Sequence, residues 1–513
     1  MLPAGRHTSE PLGATPRDDG RVAFRVWAPG RSAVAVRLRG VEHDLEQAGG
    51  GFWEAAAPAA PGDDYVYVLD GAEPRPDPCS RFQPEGIRGP SRIVDTDAFA
   101  WTDDDWDGLR LDELVVYELH VGAFTRDGTF DAVVPRLREL RELGVTAVEL
   151  MPVATFPGSR GWGYDGVYAY APHAAYGGPD GLARLVDAAH SEGLGVLLDV
   201  VYNHLGPGSE AIGAFGPYFT DGHETPWGDA VDYAQEGVRE WAIQNACSWV
   251  RDYHVDGLRL DAVFAVHDDG PRHVLAELAE RVHEEDRRAL VVSETHIGDR
   301  RPLEEWGHDA QWCDEHHHAL HALLTGEREG YYEPYGKVEQ LAGALERTNP
   351  GRLVVCSQNH DQVGNRAAGD RLTREQLRVA AHCTLLSPST PLLFMGEEYG
   401  EERPFLFFTD HTDPAVAEAT RRGRREDFAG FPGFAAGDVP DPQDPATFAG
   451  SVLAPERGDA AFRETYRQLL RLRRRLPAEV EIEFTEEPRR LRMRRGWLEL
   501  VVDFERLSAE IRR

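Results

Sequence analysis

Residues 194–204 read LGVLLDVVYNH, and this stretch decides how the chain is understood. Its apolar residues do not alternate with polar ones, which suits a strand covered on both faces, as in a parallel sheet. Val196–Tyr202 is one of eight such runs. The others are Leu114–His120, Thr146–Met151, Gly257–Val263, Leu290–Thr295, Gln311–Glu315, Arg352–Gln358 and Leu392–Glu397. Helical periodicity fills the intervals: Leu182, Leu185, Val186 and Ala189 share one helix face ahead of the third run. Eight strands alternating with helices predict an α/β fold, a closed (β/α)8 TIM barrel.

Outward from the barrel the texture changes. Residues 1–108 carry short β-type runs broken by Gly and Pro, such as Val22–Ala28, Ala33–Leu38, Phe52–Ala56 and Tyr65–Leu69, and predict an N-terminal β-sandwich. The Asp- and Trp-rich segment 101–108 is its exit. The barrel region, 109–476, contains two long excursions at 203–236 and 401–458, and ends in a helix, Ala460–Leu476. Four β-like stretches in 477–513 predict a short C-terminal β region.

With 88 acidic and 55 basic residues the formal charge is −33, which disfavours nucleic acid and anionic membrane surfaces as partners and leaves neutral ligands possible. No apolar run approaches the roughly 18 residues of a membrane span, and no leader-like apolar segment opens the chain, so a cytoplasmic location is expected. The five cysteines are widely spaced and form no C-x-x-C pair; buried thiols are expected.

Polar residues at the carboxyl ends of barrel strands converge on one rim. Here they are Asp199 and His204 after the third strand, Arg259 and Asp261 at the fourth, Glu294 at the fifth, and His360 with Asp361 past the seventh. Glycoside hydrolysis needs one carboxylic acid to protonate the leaving oxygen and one carboxylate to attack or to activate water. Arg259, two residues before Asp261, emerges on the same strand face and can hold that carboxylate ionised. Glu294 follows an apolar stretch suited to a raised pKa. A bland reading exists for each residue: a strand-end carboxylate can cap a helix or pair with a loop arginine, and Asp199 can tie its strand to Asn203 and Arg259. Tyr164, in GWGYDGVYAY, can stack on a pyranose or simply line the barrel top. The run Asp314-Glu315-His316-His317-His318 with His321 offers an i, i+4 histidine pair to a metal, but without the spacing of a zinc protease; no metal is expected. RRGRRED at 421–427 can bind an anion or brace neighbouring acids.

DVVYNH, GLRLDAV, the Glu294 segment and NHDQVGN are similar, in order and spacing, to the four signature regions of the α-amylase family of glycoside hydrolases. The resemblance implies that Asp261 is the nucleophile, Glu294 the general acid/base and Asp361 the stabiliser of the transition state. Arg259, His204, His360, Tyr164 and Asp199 would then bind the substrate. It also implies an early-set immunoglobulin-like, carbohydrate-binding-module-like sandwich and no cofactor. Longer stretches, among them DAQWCDEHHHALHALLTGEREGYY and LLFMGEEYGEERPFLFFTDH, resemble the trehalose-releasing branch of that family. That branch implies retaining cleavage of the α-1,4 bond next to the terminal trehalose of malto-oligosyltrehalose, with malto-oligosyltrehalose synthase as pathway partner. The alternatives are a branching enzyme, a maltodextrin hydrolase, or a catalytically silent glucan-binding protein. The family pattern closes with a larger all-β domain, whereas 37 residues follow Leu476 here.

Overall fold

The computed structural model describes residues 10–225, 228–347, 349–428 and 439–512. Eight parallel strands close into a barrel: Val116–Leu119, Ala147–Leu150, Gly195–Val200, Gly257–Leu260, Leu290–Ser293, Ala310–Trp312, Leu353–Cys356 and Thr390–Phe394, the last pairing with the first. Each matches one of the eight runs read from sequence, because strands buried on both faces are continuous in hydrophobicity. The sixth is shorter than Gln311–Glu315: Asp314 and Glu315 open the helix Asp314–Thr325 instead, where acidic side chains favour the positive helix start.

Before the barrel, two antiparallel four-stranded sheets share a core that includes Phe24, Val36, Tyr65 and Tyr67. One holds Gly13–Pro16, Val22–Trp27, Glu46–Gly49 and Phe52–Ala57; the other holds Val34–Leu38, Val41–Asp44, Asp64–Leu69 and Ser91–Arg92. After the barrel, Glu481–Glu486, Arg489–Arg495, Leu498–Asp503 and Ser508–Arg512 form one antiparallel sheet, where four stretches were expected. Arg495 binds it to the barrel body, donating to the Leu386 carbonyl at 2.8 Å and the Ser387 carbonyl at 2.5 Å. All five cysteines are buried and unbridged. Among the described residues no helix is long and apolar enough to cross a membrane.

The 101–108 segment straps the sandwich to the amino-terminal side of the barrel. Its Asp103 carboxylate lies 2.8 Å from His190 Nδ1, and His190 Nε2 lies 2.9 Å from Asp256. The Trp106 ring stacks on His190 at 4.9 Å and its Nε1 donates to Asp256 at 2.6 Å. Burial works against a charge on His190, but its bonds to Asp256 and Asp103 outweigh that and raise its pKa. A histidine whose folded pKa is raised contributes stability in full below its unfolded pKa of about 6.5 and loses it as pH rises through the folded value. His190→Gln, which leaves two buried carboxylates short of a partner, is expected to cost about 3 kcal/mol at pH 6. Thermal unfolding of parent and variant should show a gap in midpoint that narrows at pH 9.

Candidate active site

The carboxyl ends of the barrel strands bring the expected residues together around one guanidinium. Arg259 is completely buried at the end of the fourth strand, and its side chain lies over the Trp312 ring at 4.2 Å. Its Nη1 donates to both oxygens of Asp199, at 2.9 and 2.8 Å, and to Asp261 Oδ1 at 2.8 Å. Its Nη2 sits 2.9 Å from Glu294 Oε2, a charge contact without the alignment of a hydrogen bond. Three carboxylates from three neighbouring strands thus share one cation. Residues two apart on an extended strand face the same way, which is why Arg259 and Asp261 meet here.

The backbone tightens this arrangement. The Ala262 N–H donates to Glu294 Oε2 at 2.8 Å, and the Asp261 Oδ2 atom accepts from Asn203 Nδ2 at 3.0 Å. Ala262 itself stands at φ 41°, a left-handed conformation that turns the chain directly after Asp261. Burial pushes the Glu294 carboxyl above the ordinary carboxylate range; Asp261 adds to the rise, while Arg259 and the Ala262 N–H hold it down. Burial also raises Asp361, opposed by His360 and reinforced by Glu294. Asp199 is pushed up to about 7 by burial, with Arg259 pulling the other way. The site therefore combines groups disposed to hold a proton with a carboxylate, Asp261, kept on a cation.

Tyr164 joins the network through its hydroxyl, which donates to Asp199 Oδ2 at 2.7 Å and lies 2.7 Å from His360 Nε2. One face of its ring is stacked on the His360 ring at 5.0 Å. His360 and Asp361 open a short helix, His360–Gly364, capped by the Asn359 side chain; Asn365 Nδ2 donates to Asp361. His204 is buried, and its Nδ1 is bonded to Asn203 Oδ1, so it reaches Asp261 through Asn203. Burial pulls its pKa down to about 4.

Several participants lie outside the residues given a catalytic or substrate-binding role from sequence. Asn203 orients both His204 and Asp261. It stands inside DVVYNH, where its amide could have been recognised as the link. Asp314 is largely buried, and burial with the charges of Glu294 and Asp361 pushes it up to about 7. It opens the helix just past the sixth strand, so the strand-end rule that found Glu294 extends to it. Tyr331, the most exposed large apolar side chain among the described residues at 74%, lies beside it with its ring parallel to that of His318 at 6.0 Å. Glu118 and Glu149 occupy the strands beneath.

His316, His317 and His318 pack as neutral rings. His317 stacks on His321 at 5.4 Å, His321 pairs with Glu327 at 2.9 Å, and burial pulls His316 and His318 to about 4. Among the described residues no three His, Cys, Asp or Glu side chains converge as a metal-donor set. RRGRRED lies in the helix Pro414–Phe428 and braces: Arg424 donates to the Gly364 carbonyl at 2.7 Å and the Arg366 carbonyl at 3.1 Å, gripping the turn that carries Asp361, while Arg421 pairs with Asp441 at 2.9 Å.

Barrel, sandwich and rim carboxylates together define an α-amylase-type glycoside hydrolase. Residues 90–212 match the model of the α-amylase catalytic domain, and residues 11–99 match carbohydrate-binding module 48, the isoamylase N-terminal domain. A solved structure described as an alpha amylase from Salmonella typhimurium superposes with a TM-score of 0.89 at 38% identity, covering 96% of this chain and 93% of that one. Malto-oligosyltrehalose trehalohydrolase of Deinococcus radiodurans is 45% identical over 91% of this chain and 83% of its own, and that of Saccharolobus solfataricus is 41% identical over 89% and 86%. The chain belongs to the malto-oligosyltrehalose trehalohydrolase family.

Proposed function

We propose that the chain hydrolyses the α-1,4 bond joining a malto-oligosaccharide to a terminal trehalose, releasing trehalose with retention of anomeric configuration. The observation that carries the mechanism is the guanidinium shared by Asp261 and Glu294, one carboxylate on each terminal nitrogen. That arrangement supports the separation of about 5 Å that a double displacement uses, against the wider gap of an inverting pair. Glu294, whose proton-bearing form burial favours, gives its proton to the glycosidic oxygen while the Asp261 carboxylate attacks the anomeric carbon and trehalose departs. Water then attacks the glycosyl ester, Glu294 takes its proton, and Asp261 is released. Asp361 stabilises the positive charge that develops on the sugar ring. Arg259, Asp199, Tyr164, His204 and His360 hold that ring.

The substrate rests on the likeness to relatives named for it; a branching enzyme from Corynebacterium jeikeium matches only 51% of the chain, at 34% identity. The reaction as written draws only on side chains and water. Its place is downstream of malto-oligosyltrehalose synthase, in the cytoplasm. The division at 108/109 and 476/477 gives a sandwich, a catalytic barrel and a C-terminal sheet, and every residue assigned a role lies in the second unit. Incubation with malto-oligosyltrehalose and with plain maltodextrin of equal length is the test. Preferential release of trehalose, with the newly freed reducing end appearing first as the α-anomer, is expected; equal cleavage of both substrates or a β-anomer first would overturn the reading.

A further inference from the structure

Glu118 sits in the first barrel strand, buried, with no part in the reaction as written. Both of its carboxylate oxygens are spent on one residue. Oε2 accepts from the His360 backbone N–H at 2.8 Å, and Oε1 accepts from His360 Nδ1 at 2.5 Å. On the other side of the ring, Nε2 lies 2.7 Å from the Tyr164 hydroxyl, whose single proton is donated to Asp199. With the Tyr164 proton on Asp199, Nε2 serves as the donor to Tyr164, and Nδ1 as the donor to the Glu118 carboxylate. A ring that donates from both nitrogens is an imidazolium.

We propose that Glu118 is a positioning residue for hydrolysis: from beneath the rim it fixes the plane of His360 in its doubly protonated form, and through that ring it sets the Tyr164 hydroxyl against the sugar. The inference rests on the reading that His360 and Tyr164 hold the substrate. It names a residue that touches neither substrate nor reacting atoms.

The surroundings leave Glu118 as the source of this charge. Glu149, opposite Glu118 in the pairing of the first two strands, has an unpartnered Oε1; burial, with Glu118 and Asp199 adding to it, pushes its carboxyl well above the ordinary carboxylate range. Asp361, on the same helix as His360, adds attraction, and Arg259 opposes it. Glu294, from the fifth strand, feels the same imidazolium, and His120, after the first strand, is held near 4 by burial and so stays neutral. Burial by itself would strip the proton from His360; the charge and hydrogen bond of Glu118 reverse this and carry it up to about 9.

Glu118→Gln keeps an oxygen for the backbone N–H and replaces the charge. Histidine-15N NMR of the full chain, with the His360 signal assigned by its loss in His360→Gln, reads the ring directly. The parent ring should stay doubly protonated to about pH 9, and the Glu118→Gln ring should lose its proton at least about one to three pH units lower. On malto-oligosyltrehalose, kcat should fall about 10²-fold with KM changed far less, as for a misplaced catalytic contact. In a His360→Gln background Glu118→Gln should cost almost nothing further, because Glu118 acts through that ring. Unchanged titration of His360, or an equal cost of Glu118→Gln in both backgrounds, would overturn the proposal. A parent that failed to release trehalose would overturn the substrate reading, while the NMR titration would still decide what Glu118 does.

Discussion

Asp261→Asn is expected to abolish turnover, lowering kcat by roughly 10⁴-fold or more, the scale on which loss of a covalent nucleophile is felt. The amide is nearly the same shape as the carboxylate, so the fold should persist. What changes is electronic: the amide oxygen is too weak a nucleophile to form the glycosyl ester. Arg259 would keep its contacts with Asp199 and Glu294, so the guanidinium would not be left unpaired. Binding of malto-oligosyltrehalose to the variant, followed by calorimetry, should remain within a few fold of a slow-substrate estimate for the parent. Loss of binding together with turnover would mean that Asp261 holds the substrate rather than attacks it.

Glu294→Gln should lower kcat about 10²- to 10⁴-fold on malto-oligosyltrehalose, the contribution usual for a positioned general acid. The deficit should depend on the leaving group. An α-glucosyl fluoride, whose fluoride departs with little protonation, should suffer far less in the glycosylation step than the natural sugar. In the parent, the alkaline limb of kcat/KM reports this residue: activity falls as pH rises through the Glu294 pKa, because the acid form is lost. Burial first, and Asp261 second, place that limb above the roughly 4.3 of an ordinary glutamate. Flattening of the limb in Glu294→Gln, measured with the fluoride, would tie it to this carboxyl. A limb that persisted unchanged would assign it elsewhere, with Asp314 the nearest candidate.

Much of the fold was legible because a strand covered on both faces leaves an uninterrupted apolar run, and eight such runs admit few arrangements. The rim residues were legible for a related reason: Asp199, Asp261 and Glu294 break or end those runs with a charge. The same signal was present at Glu118 in VVYELH and Glu149 in TAVELM, lone carboxyls inside apolar strands, but nothing in one strand reveals that His360, 242 residues away, supplies the partner. Asp314 was masked by its company, since the histidines after it invited a metal reading, and the sixth strand was read three residues too far. Those histidines pack ring against ring. Arg424 could not be placed from sequence because its acceptors are backbone carbonyls, which every residue offers equally.

The barrel closes only when Thr390–Phe394 pairs with Val116–Leu119. Glu118, beneath the rim, and Asp261, Glu294 and His360, on it, lie in or directly after the first, fourth, fifth and seventh strands, and none forms a working unit with its sequence neighbours alone. A chain truncated before the eighth strand therefore carries every acid and base of the reaction and is expected to perform none of it. Competence then depends on topology, and the return of activity on refolding is expected to follow the docking of the last strand against the first.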